Sequence, residues 1–282
     1  MTTLRDQPCL ITGAASGIGR AVALAAGEQG AKLVLTDVDA SGLADTLAAL
    51  NERGARVLAS RALDITDHAA VRAFADTVHA EHGAMAVLMN VAGIAIWGPV
   101  EQLRLEHWRA LVEVNLMGPV HVIECFLPTM VAAGRGGHLV TVSSAAGLFG
   151  LPWHAAYNAS KFALRGMSEA MRYDLKRHRI RVSLVCPGAV DTGLVRTLRI
   201  VGIDQNTPRV ARLKQRFQRH AVSPAEAARR ILKGLEKNRY LIYTSPEIRL
   251  GYWFKRKFAW PLERVIALIG RQLEAVAREQ NR

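Results

Sequence analysis

Residues 8–29 read PCLITGAASGIGRAVALAAGEQ: a short apolar run, a turn with glycines at 13, 17 and 19, and then apolar residues at helical spacing. A buried strand that turns through glycines into a helix is the opening unit of a parallel α/β sheet. The same alternation continues along the chain. Apolar, β-rich runs at 32–36, 56–60, 86–90, 138–142 and 181–186 read as buried strands, and a seventh is expected at 239–244. Between them, 17–29, 41–53, 67–82, 103–132 and 157–178 carry helical spacing. This order predicts one parallel sheet with helices on both faces, joined by right-handed crossovers. Ser223, Pro224 and Glu226 predict a capping box that opens the helix before the last strand.

Composition agrees with a globular chain. Of 282 residues half are hydrophobic and 22% charged, which excludes disordered, collagen-like and coiled-coil classes. Cys9, Cys125 and Cys186 stand far apart in apolar surroundings, so they predict buried thiols in a reducing compartment and no metal site. No basic and apolar leader is read at the start, and no stretch is read as approaching the roughly 18–20 apolar residues of a spanning helix. These features predict a cytoplasmic protein. Charge is unevenly placed: residues 1–194 carry 17 basic and 17 acidic side chains, whereas 195–282 carry 20 and 7. The net +13 therefore belongs to the C-terminal third. It suits an anionic partner or a solvated basic face equally.

In TGAASGIG (12–19) the glycines let backbone and helix N-terminus approach a pyrophosphate, although a purely structural turn also uses them. Asp37 ends the second strand about twenty residues later, where a carboxylate can accept both hydroxyls of an adenosine ribose and would repel a 2′-phosphate. No basic residue stands at Ser16 or Val38, so NAD is expected over NADP; the alternative is an Asp that caps a turn. Tyr157 and Lys161 in YNASK share one helical face, and an ammonium near a phenol favours the phenolate. Ser144 in VTVSSAAG ends a strand upstream, and Asn115 in VNLMG interrupts an apolar helix, where it could equally hold a kink or a water.

Taken together, TGAASGIG, Asp64 in LDIT, NVAG at 90–93, Asn115, Ser144, YNASK and CPGAVDT at 186–192 resemble the short-chain dehydrogenase/reductase family over about residues 8–245. Val91 departs from the family, which more often has a second Asn there. The resemblance implies a Rossmann-type doubly wound sheet of about seven strands in residues 1–245, followed by a helical extension at 246–282. It implies Tyr157 as acid/base, Lys161 lowering its pKa and binding the nicotinamide ribose, Ser144 holding the substrate oxygen, and Asn115 as a proton relay. Cofactor contacts are implied at Gly13, Ser16, Gly17, Ile18, Gly19, Asp37, Asp64, Ile65, Asn90, Ala92, Gly93, Pro187, Gly188, Val190 and Thr192. Loops after the fourth, fifth and sixth strands wall the substrate pocket in the family. Here they offer Ile96, Trp97, Ala146, Phe149, Trp153 and Leu194, an apolar set that suits a sterol, retinoid or long-chain alcohol or ketone. His154 is read as loop surface or a substrate contact.

An NAD-dependent oxidoreductase is the expected activity. An NADP-dependent carbonyl reductase is the second reading, and a dinucleotide sensor or membrane-associated scaffold is the third. Relatives pair through helices matching 103–132 and 157–178, which implies a homodimer or homotetramer. Beyond residue 245, Tyr252, Trp253, Phe254, Phe258 and Trp260 interleave with Arg249, Lys255, Arg256 and Lys257. Leu262, Val265, Ile266, Ile269, Leu273 and Val276 then follow at amphipathic spacing. Peripheral contact with an anionic membrane and packing on a neighbouring subunit are both open readings of this segment, whereas nucleic acid is not expected.

Overall fold

The computed structural model describes residues 2–193, 198–204, 207, 210 and 221–280, with the backbone alone at 259, 262 and 275–280. In chain order its elements are β1 (Pro8–Thr12), α1 (Gly17–Glu28), β2 (Lys32–Asp37), α2 (Ala40–Glu52), β3 (Arg56–Ala62), α3 (His68–His82), β4 (Val87–Asn90) and β5 (Ile96–Trp97). Then follow α4 (Leu105–Val112), α5 (Gly118–Ala133), β6 (Gly137–Val142), α6 (Ala155–Asp174), β7 (Ile180–Cys186) and β8 (Arg199–Ile200). The described chain ends with α7 (Pro224–Glu236), β9 (Leu241–Tyr243), α8 (Pro246–Lys257) and α9 (Ala259–Gln280).

Seven strands pair in the order β3-β2-β1-β4-β6-β7-β9, and every pairing is parallel. In the inner strands side chains alternate between two cores, which is why β1, β2 and β4 read as mostly apolar sequence, whereas the edge strand β3 (RVLASRA) is largely exposed. Cys9 and Ile11 of β1 join Leu33, Val22, Ala26 and the α7 residues Ile231 and Leu235 on one face. Leu10 instead joins Val34, Leu88, and Phe74 and Phe126 of α3 and α5 on the other. Each fully buried Leu or Phe contributes about 1.5–3 kcal/mol of burial free energy, so these two layers fix the sheet. The strand order reverses between β1 and β4. That is where doubly wound sheets open a crevice at their carboxyl ends.

Three expectations need correction. The helix expected at 103–132 is not regular: a π-helical turn at Glu113–Met117 separates α4 from α5. The combined run Leu105–Ala133 is also long and apolar enough to cross a membrane, contrary to the sequence reading. Its hydropathy reflects the inward face, where Val122, Cys125, Phe126 and Met130 are buried beneath α3. Finally, Ser223 does accept from the Glu226 amide, but the Glu226 carboxylate turns to Arg229 and Arg230, leaving half a capping box.

Candidate active site

The first cluster forms around the end of β1. The Thr12 hydroxyl accepts from the amides of Val91 (3.0 Å) and Ala92 (3.1 Å), tying the Gly-rich turn to the loop after β4. That tie runs through the Val91 backbone, so it does not depend on the side chain that departs from the family pattern. Packing is tight: a Cβ on Gly13 would stand 2.8 Å from the Ala92 backbone, and one on Gly19 would stand 1.9 Å from the Gly13 carbonyl oxygen. Ser16 precedes α1 in extended conformation and its side chain makes no cap, so the first amides of α1 keep their donors open beside Ile18. Gly17 adopts φ +53 and faces the Thr192 methyl, which a Cβ would meet at 3.1 Å.

At the end of β2, Asp37 Oδ2 accepts from the Ala15 amide at 2.8 Å and Oδ1 from the Asp39 amide at 3.0 Å. This fixes the carboxylate beside the glycine turn. Val38 is exposed, and Arg61 on the neighbouring strand places its guanidinium over the Phe74 ring, 5.3 Å from its centroid. Asn90 is buried, yet neither its amide nitrogen nor its oxygen has a hydrogen-bond partner among the described residues. A buried, unsatisfied amide is costly unless a ligand or water completes it. Asp64 accepts from the Thr66 amide and is exposed, whereas the Ile65 side chain is buried against Gly118.

The second cluster stands on α6. Tyr157 and Lys161 are both buried on one face, and the Ser160 hydroxyl between them donates to the Tyr157 carbonyl at 2.8 Å. Ser144, at the start of a short 3-10 turn after β6, hydrogen-bonds the Tyr157 phenol. Asn115, at the centre of the π turn, is fully buried. Its Oδ1 accepts from the Ile94 amide at 2.8 Å, and its Nδ2 donates to the Ile94 carbonyl and to Ser160. A Cβ on Gly93 would lie 2.9 Å from Asn115 Oδ1 and 3.3 Å from Lys161 Nζ, so glycine there leaves a cradle between these groups. Lys161 Nζ donates to the Val142 carbonyl at 3.3 Å.

Burial sets the electrostatics. It pushes the Tyr157 phenol above its ordinary value, opposed by the hydrogen bond with Ser144, and pulls the Lys161 ammonium down to about 8. This corrects the expectation that Lys161 draws the phenol toward neutrality. In the protein alone desolvation outweighs attraction, with Lys161 Nζ 5.7 Å from the phenol ring centroid.

The loops above complete the arrangement. Pro187 accepts from the Ala145 amide at 2.7 Å, Gly188 donates to Thr244 at 3.2 Å, and Val190 bridges to Val222, so the segment after β7 leans on the Ser144 turn. Ile96, Trp97 and Ala146 cluster with Tyr157, as does Leu151. Trp153 packs near Trp97 against Leu198 and Ile200. Phe149 departs from expectation: its ring packs on Tyr252 of α8, 6.3 Å between centroids, away from the Tyr157 cluster. Leu194 lies outside the described residues. His154 is not loop surface. Its Nδ1 donates to the Pro152 carbonyl at 2.6 Å, its ring lies 4.1 Å from that of Trp97 and 6.2 Å from that of Tyr157, and burial pulls it down to about 4.

Sequence reasoning missed Asn158. Its side chain donates to the carbonyls of Ala146 and Phe149 and accepts from Leu151, pinning the whole loop between Ser144 and α6. A polar residue beside Tyr157 on the buried face of an amphipathic helix was the available signal. Distant spacing also hid a cluster of His68, Glu124 and Cys125, whose donor atoms lie within 4.8 Å of one another. Its carboxylate is already shared by Arg72 and His68, and burial pushes the Cys125 thiol up to about 11.

A seven-stranded parallel sheet in this order, with helices on both faces, defines an α/β protein of the Rossmann type. The chain belongs to the short-chain dehydrogenase/reductase family of oxidoreductases, because the model for short chain dehydrogenases matches residues 7–200. SadH of Mycobacterium tuberculosis is 36% identical over 272 residues, covering 95% of this chain and 96% of that protein. The 1-deoxy-11-beta-hydroxypentalenate dehydrogenase of Streptomyces avermitilis is 35% identical over 255 residues, 89% of this chain and 90% of that protein. Among solved structures, a short-chain dehydrogenase/reductase from Burkholderia phymatum in complex with NAD superposes with a TM-score of 0.82 at 30% identity, covering 91% of this chain and 95% of that one.

Proposed function

We propose that this protein interconverts a hydroxyl and a carbonyl on a hydrophobic substrate, using NAD(H), with Tyr157 as acid/base. The observation that carries the reading is Ser144 beside the buried Tyr157 phenol, with Lys161 on the same helical face and Lys161 and Asn115 meeting at the Gly93 cradle. The Asn90 amide, unpartnered among the described residues, the uncapped start of α1 and the Asp37 carboxylate held beside the glycine turn fit an adenine dinucleotide. When bound, NAD supplies or takes the hydride. The chain's own part is positioning and proton management. The Ser144 hydroxyl and the Tyr157 phenol grip the substrate oxygen from two sides, and the phenol proton passes to or from that oxygen. Lys161, with Asn115 beside it, offers the adjacent charge, and the ammonium also suits ribose hydroxyls. Asp37 would repel a 2′-phosphate, and no basic residue follows it at Val38, so NADP is the weaker alternative.

Ile96, Trp97, Ala146 and Leu151 give the pocket few polar handles, which favours a lipophilic alcohol or ketone. The relative named 1-deoxy-11-beta-hydroxypentalenate dehydrogenase, whose name carries a hydroxyl group, supports a hydroxyl as the reacting group. A homodimer or homotetramer through α4–α5 and α6 belongs to the same reading.

The pH profile tests it. Because burial raises the Tyr157 phenol, the proton is held across neutral pH. Alcohol oxidation needs that proton removed, so its rate should climb only as pH rises past the ordinary phenol value of about 10, and carbonyl reduction should fall over the same range. Flat profiles in both directions would contradict proton transfer by Tyr157.

A further inference from the structure

The last two helices carry a surface unlike the rest of the molecule. Of twelve large hydrophobic side chains exposed among the described residues, eight fall between Leu250 and Ile269. In α8 the buried position is Tyr252, and at 100° per residue Leu250, Trp253 and Phe254 point away from it. The outward rings touch each other: Trp253 lies 5.1 Å from Phe254, and Phe258 lies 6.4 Å from both. In α9 Leu273 faces inward and is buried, while Val265, Leu268 and Ile269 form an adjoining exposed stripe. Arg256, Lys257, Arg264 and Arg271 are exposed around these apolar residues, and Arg264 lies over the Trp260 ring at 4.4 Å.

Two occupants compete for such a surface. A second copy meeting it about a two-fold axis would set the same patch against itself, bringing like charges together. Residues 246–282 hold 8 basic and 4 acidic side chains, too few acids to neutralise that contact. A bilayer with anionic headgroups meets both needs: it takes up tryptophan and phenylalanine at the acyl boundary and pairs with flanking arginine and lysine. We propose that α8 and α9 dock this protein on an anionic membrane surface, lying in the headgroup plane with Trp253, Phe254, Phe258 and the Leu268–Ile269 stripe inserted.

The docked helices also hold the loop before α6. Lys255 Nζ donates to the Leu148 carbonyl at 2.6 Å, Tyr252 packs on Phe149, and a Cβ on Gly270 would meet Pro152 at 3.5 Å. Docking would therefore set the pocket loop beside the phase in which a lipophilic substrate dissolves. That consequence rests on the substrate class proposed above; the docking does not.

Flotation of the full chain with vesicles of phosphatidylcholine alone, or mixed with phosphatidylglycerol, tests the proposal. The wild type should float with the mixed vesicles and at least about tenfold less with phosphatidylcholine, and high salt should weaken binding. Arg256→Gln with Lys257→Gln should lower affinity roughly thirtyfold at low salt, the equivalent of about 1 kcal/mol per cation. A Trp253→Ser, Phe254→Ser, Phe258→Ser variant should lose binding while keeping its circular dichroism, since all three side chains are exposed. Tyr157→Phe should float like the wild type, so failure of the catalytic reading leaves this one standing. Equal flotation of wild type and triple variant, or no flotation with either lipid, would overturn it. So would patch variants that shift a dimer to monomer in sedimentation without any vesicle binding, because a second copy would then be the occupant.

Discussion

Tyr157→Phe is expected to lower kcat by roughly a hundredfold to ten-thousandfold, the usual worth of a positioned proton donor, while NADH still binds. The phenol hydroxyl is the group buried beside Ser144, and phenylalanine keeps the ring and its packing on Ala156 and Leu111 while removing only that oxygen. Steady-state kinetics with any turned-over alcohol, alongside an NADH titration, separates the two effects. A loss below about tenfold would mean that another group carries the proton.

Gly19→Ala should be nearly as damaging, for a steric reason. The added methyl would sit 1.9 Å from the Gly13 carbonyl oxygen and 2.6 Å from its carbon, and both are backbone atoms of the turn. Overpacking of this kind costs about 1–3 kcal/mol or more, so NADH binding should weaken at least roughly tenfold and the melting temperature should fall. Gly166→Ala in α6 is the matched control. Nothing lies within 4 Å of its Cβ position, so removing a helical glycine should stabilise the protein by about 0.5–1 kcal/mol and leave NADH binding unchanged. Scanning calorimetry with the same titration reads both variants. Equal behaviour of the two alanines would contradict the close turn.

Much of this was legible because parallel strands buried on both faces carry a strong signal. PCLIT, KLVLT and RVSLVC are mostly apolar runs, and each became an inner strand of the sheet. Tyr157 and Lys161 were equally plain, since an i, i+4 pair must share a face. What stayed hidden depends on contacts between segments. The two-residue strands Ile96–Trp97 and Arg199–Ile200 pair across about a hundred residues and have no periodicity to detect. The π turn at Asn115 leaves the apolar pattern of its helix intact, and the polar residue alone did not reveal it. Phe149 looked like a pocket residue by position, but Tyr252, contributed by a helix a hundred residues later, captures its ring. The orphaned amide of Asn90 cannot be seen until its surroundings are built.

The central claim is a buried proton site served by NAD, and parallel titration of the purified protein with NADH and NADPH at fixed salt addresses it most directly. The carboxylate of Asp37, held by the Ala15 amide and free of any basic neighbour at Ser16 or Val38, predicts tighter binding of NADH. Asp37→Ala should remove most of that preference. Tighter binding of NADPH by the wild type, or no binding of either nucleotide, would contradict the account.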